Sequence, residues 1–167
     1  MEKLWSPWRS KYIESFSSDQ DSSRCIFCQI ALSDTNKSDN LIVHKDKYTF
    51  TLLNLYPYNN GHLMVVPYRH TSDFLSLSVE EYSGLMKNLQ LAQQALLKVM
   101  NPHGFNIGAN IGRVAGAGIE DHIHFHIVPR WSGDSNFMPV IGEVKVISQD
   151  LQETKVKLIR AYSELLK

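Results

Sequence analysis

The stretch His122-Ile-His-Phe-His-Ile-Val128 constrains this chain more than any other. Histidines alternate strictly with bulky apolar residues through it. Such alternation marks a β-strand with one buried face, because successive side chains point to opposite sides of a sheet. Ile123, Phe125 and Ile127 are expected to face a core. His122, His124 and His126 then share the other face, with neighbours roughly 6.6–7 Å apart along the strand. The segment Gly104 to Ile111 carries a matching pattern, with Asn106, Gly108 and Asn110 alternating with Ile107, Ala109 and Ile111. If these two strands pair, a strip of amides and bare backbone lies beside three imidazoles.

A neutral imidazole is nucleophilic near pH 7, since its ordinary pKa is ~6.5. It can attack phosphorus and form a covalent phosphoramidate, dividing one difficult displacement into two easier ones. Its neighbours can hydrogen-bond phosphate oxygens or assist a leaving group. Alternate histidines also chelate metals in cupin-type and metallo-hydrolase sites, but no aspartate follows at the spacing a metallo-hydrolase motif requires. The plainest alternative is a polar strand face turned to solvent.

The other elements follow from local signals. Strands are expected at Leu41 to His44, at Tyr48 to Leu53 and at His62 to Pro67, the last two joined by the turn Tyr56-Pro-Tyr-Asn-Asn-Gly61, whose Asn and Gly residues accept positive φ. Ser78-Val-Glu-Glu81 reads as a capping box. Leu85, Leu89, Ala92, Leu96 and Val99 then recur at the spacing of one helix face, which ends before Pro102. A short strand is expected at residues 144–147, and a terminal amphipathic helix carries Leu151, Ile159, Tyr162 and Leu166. Consecutive strands with two main helices predict an α+β domain on an antiparallel five-stranded sheet. An N-terminal aromatic arm spans residues 1–24, the domain proper 25–137, and a C-terminal strand and helix extension 138–167.

Acidic and basic residues balance at 17 each, which argues against bulk capture of a nucleic acid polymer. No apolar run reaches the ~20 residues of a membrane span, and the first residues lack a signal-peptide pattern. The expected compartment is the cytoplasm. In such a reducing compartment the only two cysteines, Cys25 and Cys28, suit a metal or redox role better than a structural disulfide. The glycine-rich loop Gly112 to Gly118 has neither a Gly-Lys-Ser/Thr ending nor a following helix signal, so it is not a Walker motif. Its backbone N–H groups can still face phosphate oxygens.

Taken together, these residues resemble the histidine triad superfamily, whose signature is His-φ-His-φ-His-φ-φ with φ apolar. His122 to Val128 fits that signature at every position. Gly61-His-Leu-Met-Val-Val-Pro-Tyr-Arg-His70 is similar to the superfamily's second hallmark, and Cys25-Ile-Phe-Cys28 to its frequent cysteine pair. Leu4-Trp-Ser-Pro-Trp-Arg9 and Val128-Pro-Arg-Trp-Ser-Gly-Asp-Ser-Asn-Phe137 resemble the bacterial branch that contains diadenosine tetraphosphate phosphorylases, or ATP adenylyltransferases. The resemblance implies a homodimer or higher homo-oligomer that transfers a nucleoside monophosphate through a covalent histidine intermediate. His124 is then the nucleophile, His126 attends the reacting phosphate, and the substrate is a dinucleoside polyphosphate or related nucleotide conjugate. Many hydrolases of the superfamily carry Gln where Gly118 stands, so water is disfavoured as acceptor and phosphate favoured. An acidic residue often binds ribose at the position of Asn54, whose amide can donate and accept to a diol.

By the same resemblance, Cys25, Cys28, His70 and His122 form a structural zinc site, with His44 a competing ligand. Ile26, Phe27 and Phe50 are expected at the base, while His62, Asn110, Gly118 and Trp131 line the phosphates. Arg69, Arg113 and Arg130 are available to neutralise charge, and His103 receives no role. Two further readings remain open: a hydrolase of phosphoramidates or other nucleotide conjugates, and a nucleotide-binding module with little catalysis.

Overall fold

The computed structural model describes residues 25–35, 40–134 and 149–167. The N-terminal arm, the strand expected at residues 144–147 and the boundary at 137 lie outside the described residues. A short helix α1, Ile26–Ala31, precedes strands β1 (Ile42–Lys45), β2 (Thr49–Leu53) and β3 (Leu63–Pro67). The long helix α2, Val79–Met100, leads into β4 (Gly104–Gly108), then β5 (Phe125–Arg130) and the final helix α3, Leu151–Leu165. The sheet is five-stranded in the order β1-β2-β3-β5-β4, and every pairing is antiparallel. This is the α+β architecture expected from the pattern of strands and helices.

Alternation sorts the sheet into two buried faces. On one, Val43, Leu53, Val65 and Ile127 pack with Leu85, Leu89, Ala92 and Leu96 of α2 and with Leu158, Ala161 and Tyr162 of α3. On the other, Ile42, Phe50, Leu52, Met64 and Val66 pack with Phe27 of α1. The core therefore continues on both sides of the sheet. The histidine-bearing face is covered by the small helix α1 and not left bare to solvent.

Helix α2 starts where its sequence requires. The Ser78 side chain accepts from the Glu81 N–H at 3.2 Å, and Glu81 accepts from the Ser78 N–H at 2.8 Å. These reciprocal bonds satisfy two backbone donors that a helix start otherwise orphans. The helix ends at Asn101, which takes the left-handed conformation at φ 46° just before Pro102.

Two expectations need correction. The histidine strand begins at Phe125, not His122, because the Ile123 N–H bonds to the Thr71 carbonyl at 2.7 Å outside the sheet ladder. β4 likewise ends at Gly108, so Ala109, Asn110 and Ile111 belong to the following loop. The facing that alternation predicted still holds. Phe125 and Ile127 belong to the helix-covered side, and His126 lies opposite both Met64 and Gly108 on the other.

Candidate active site

The turn before β3 positions the first functional ring. Gly61 has φ +72°, and a Cβ there would come within 2.5 Å of Met100 Sδ, so only glycine suits the position. Its neighbour His62 is fully buried. The Tyr58 N–H donates to His62 Nδ1 at 3.0 Å, which obliges the neutral ring to carry its hydrogen on Nε2. Asn54 reinforces this. Its Oδ1 accepts from the Tyr56 N–H at 3.0 Å, leaving Nδ2 to face His62 Nδ1 at 3.3 Å.

From that fixed tautomer the next one follows. His62 Nε2 lies 2.9 Å from His126 Nδ1 and must donate to it. His126 therefore carries its hydrogen on Nε2. His124 is set in the opposite sense, since its Nδ1 lies 2.9 Å from the His122 carbonyl, which can only accept. Its Nε2 is thus a lone pair. His122 donates from Nε2 to the Pro67 carbonyl at 2.8 Å, leaving a lone pair on Nδ1. Each of the three rings is held in a defined protonation pattern by a different backbone or side-chain partner.

Burial separates the three further. His122 is fully buried and His124 is 4% exposed. Phe27 covers both, with ring centroids 5.5 Å from His122 and 4.9 Å from His124. Burial pushes both imidazoles below the ordinary histidine range, so their neutral forms are favoured. The backbone hydrogen bonds oppose this shift without outweighing it.

His124 and His126, 4.9 Å apart between ring centroids, open into one cleft. Asn54, Asn110, Gly116 and Gly118 give it polar walls, while Tyr56, Tyr58, Met64 and Ile119 give it apolar ones. Asn54, Asn110 and Gly118 were expected there; both tyrosines, Met64 and Ile119 were not. Met64 could have been found only with the β3–β5 register, which sets it opposite His126. His62 stands behind the cleft wall as a buried, hydrogen-bonded ring. Phe27 packs against the histidines, Phe50 is completely buried in the sheet, and neither they, Ile26 nor Trp131 line this cleft.

No lysine or arginine lines the cleft among the described residues. The arginines expected to be available are engaged elsewhere. Arg69 makes a two-pronged contact to Glu81 at 2.7 and 2.9 Å, Arg130 does the same to Asp134 at 2.6 and 2.8 Å, and Arg113 pairs with Glu120 at 3.5 Å. Negative charge in this cleft would meet the His126 N–H, amides and backbone instead.

Beside the cleft, Cys25, Cys28, His70 and His122 form a second cluster, their ligand atoms all within 4.8 Å of one another. His122 Nδ1 lies 3.3 Å from Cys25 Sγ, 3.7 Å from Cys28 Sγ and 3.4 Å from His70 Nδ1, and Cys28 Sγ lies 3.5 Å from His70 Nδ1. This donor set is able to hold a metal ion. His44 is not part of it: its ring stacks on Tyr162 at 4.8 Å, on the helix-covered side. His103 bonds Ser132 near the surface.

Comparison with known proteins bears on this geometry. A family model of the HIT domain matches residues 35–133. The chain is 42% identical over 161 residues to a Mycobacterium tuberculosis protein named AP-4-A phosphorylase, covering 93% of this chain and 81% of that one. It is 35% identical over 91 residues to a Saccharomyces cerevisiae bis(5'-adenosyl)-triphosphatase, covering 54% of this chain and 44% of the yeast protein. Among solved structures it is similar to a Zn-bound histidine triad family protein from Mycobacterium smegmatis. That match has a TM-score of 0.67 and 27% identity, over 86% of this chain and 96% of the other. With the triad, the sheet and the family model in agreement, the chain belongs to the HIT-domain family.

Proposed function

We propose that this chain, an enzyme of the HIT family, cleaves dinucleoside polyphosphates by nucleotidyl transfer through His124, with phosphate the preferred acceptor. The observation that carries the reading is the paired tautomers. A lone pair on His124 Nε2 and an N–H on His126 Nε2 belong to adjacent rings of one cleft. A nucleophile and a hydrogen-bond donor are what an in-line attack on a phosphoryl group requires.

His124 Nε2 attacks the α-phosphorus. The N–P bond forms as the bond to the bridging oxygen breaks, and the nucleoside polyphosphate departs. The attacking ring becomes positively charged, and its Nδ1–H already points at the His122 carbonyl, which steadies that charge. His126 Nε2–H donates a hydrogen bond to the phosphate oxygens, where charge builds. An oxygen of inorganic phosphate then attacks the same phosphorus and the N–P bond breaks, freeing His124. Gly116 and Gly118, lacking side chains, let the loop backbone approach the phosphates, and Asn54 and Asn110 supply amides. The similarity to AP-4-A phosphorylase supports this acceptor and substrate class.

The cysteine–histidine cluster fits zinc. A zinc tetrahedron has edges of about 3.3 Å between nitrogens and about 3.6 Å between nitrogen and sulfur; the corresponding distances here are 3.4 Å and 3.3–3.7 Å. The Pro67 carbonyl also orients His122 as an outer-shell partner does. Zinc held by Cys25, Cys28, His70 and His122 would be structural, cross-linking α1 to the segment that carries His124. Assembly as a homodimer is supported by β4. It is an outermost strand with Ile107 48% exposed and Ile111, just beyond it, 52% exposed, and such an edge invites strand pairing with a second copy.

Incubation with diadenosine tetraphosphate, with and without inorganic phosphate, tests the reading. Phosphate-dependent formation of ADP with ATP is expected. AMP and ATP formed equally fast in water alone would assign a hydrolase, and the absence of any turnover a binding module.

A further inference from the structure

We infer that Asp134, outside the cleft, is a positioning residue that holds the catalytic tautomers in place through Asn59; this rests on the role proposed for His126. The Asp134 carboxylate is only 10% exposed and accepts from Arg130, Asn59 and the Trp131 backbone among the described residues. Oδ2 accepts from Arg130 Nε at 2.6 Å, Asn59 Nδ2 at 2.8 Å and the Trp131 N–H at 3.0 Å, and Oδ1 accepts from Arg130 Nη2 at 2.8 Å. Asn59 gives its amide also to the Pro129 carbonyl at 3.1 Å. The turn that carries Asn59 is thereby fastened to the end of β5.

That turn is where the tautomer chain begins. The Asn59 carbonyl accepts from the His62 N–H at 3.2 Å, and the preceding residue, Tyr58, directs its own N–H at His62 Nδ1 at 3.0 Å. Tyr58 also lies against both rings, 4.7 Å from His62 and 5.9 Å from His126 between centroids. Losing the Asp134–Asn59 bond frees the turn to shift. The Tyr58 N–H then no longer compels His62 to carry hydrogen on Nε2, and His126 is no longer compelled to present its own Nε2–H. Arg130 serves the same end from β5. It holds the carboxylate from one side while its Nη1 bonds Asn106 Oδ1 of β4 at 2.8 Å.

The test compares Asp134→Ala, Asp134→Asn and Asn59→Ala with the wild type. Asn59→Ala keeps the Arg130–Asp134 pair while removing the Asn59 side-chain bonds to Asp134, to the Pro129 carbonyl and from the Asn60 N–H, so it remains informative if Asp134→Ala fails to fold. In the substrate-free protein, 15N–1H correlation of the imidazole nitrogens is expected to show Nε2–H tautomers for His62 and His126 in the wild type and mixed tautomers in Asn59→Ala and Asp134→Ala. Turnover of diadenosine tetraphosphate is expected to fall about 10- to 100-fold in kcat, with KM within about threefold. Asp134→Asn, which keeps an acceptor for Asn59 but not the paired charge, is expected to fall between. Unchanged tautomers in folded Asn59→Ala, or a loss of activity that follows only the folded fraction, would overturn the inference. The tautomer measurement uses no substrate, so its outcome stands even if the nucleotidyl-transfer reading fails.

Discussion

His124→Gly is expected to lower turnover of diadenosine tetraphosphate by at least about 10^4-fold, because removing a covalent nucleophile abolishes the pathway and does not merely slow it. Nucleotide binding is expected to stay within about threefold of the wild type. The asparagines, the glycine loop and His126 still line the cleft, and none is bonded to the His124 ring. Thermal denaturation has to accompany the assay, since His124 is only 4% exposed beneath Phe27 and its loss leaves a small cavity. A variant that remains folded, binds nucleotide and turns over within tenfold of the wild type would remove His124 from the chemistry and leave the cleft as a binding site.

The second large effect concerns the metal. Protein purified without added metal is expected to carry about one zinc per chain, and Cys28→Ser to carry almost none. Structural zinc contributes on the order of 10 kcal/mol to folding in small metal-dependent domains. This domain has a core on both sheet faces to fall back on, so only part of that is lost. At about 2–4 °C per kcal/mol for a chain of this size, losing several kcal/mol lowers Tm by at least about 10 °C. Activity is expected to fall as well, since His122 joins the cluster through Nδ1 and orients His124 through its carbonyl. A metal content near zero in active wild-type protein, or a melting curve that a strong chelator leaves unchanged, would contradict the zinc reading.

Much of the fold and part of the site could be read before the coordinates, for identifiable reasons. The capping box at Ser78 and Glu81 and the apolar face from Leu85 to Leu96 are local signals, and α2 begins and packs as they require. The alternation around Phe125 and Ile127 predicted the facing of β5, because a one-residue slip would exchange its apolar and histidine faces. The three histidines were legible as a group. Their separate environments were not, since each depends on a partner distant in the chain: Pro67 for His122, Phe27 for His124 and His62 for His126. The strand start at Phe125 was missed for the same reason, because the Thr71 carbonyl that draws Ile123 out of the ladder belongs to a loop with no periodic signal. Arg69 and Arg130 looked like cations available to phosphate. Charge counting along a sequence cannot reveal that Glu81 and Asp134 already hold them.

Tyr58 and Asp134 show the limit most clearly. A tyrosine in a turn and an aspartate after Gly133 carry no catalytic signature. Tyr58 lines the cleft itself, and the hydrogen-bond chain through Asn59 to His62 ties Asp134 to it.

The most direct measurement is a rapid-quench experiment on the wild type turning over diadenosine tetraphosphate, followed by peptide mapping under alkaline conditions that preserve N–P bonds. Covalent nucleotidyl transfer requires an acid-labile adenylyl group on the peptide carrying His124, formed before product release and discharged faster when phosphate is added. Turnover with no such adduct, or an adduct on any residue other than His124, would contradict it.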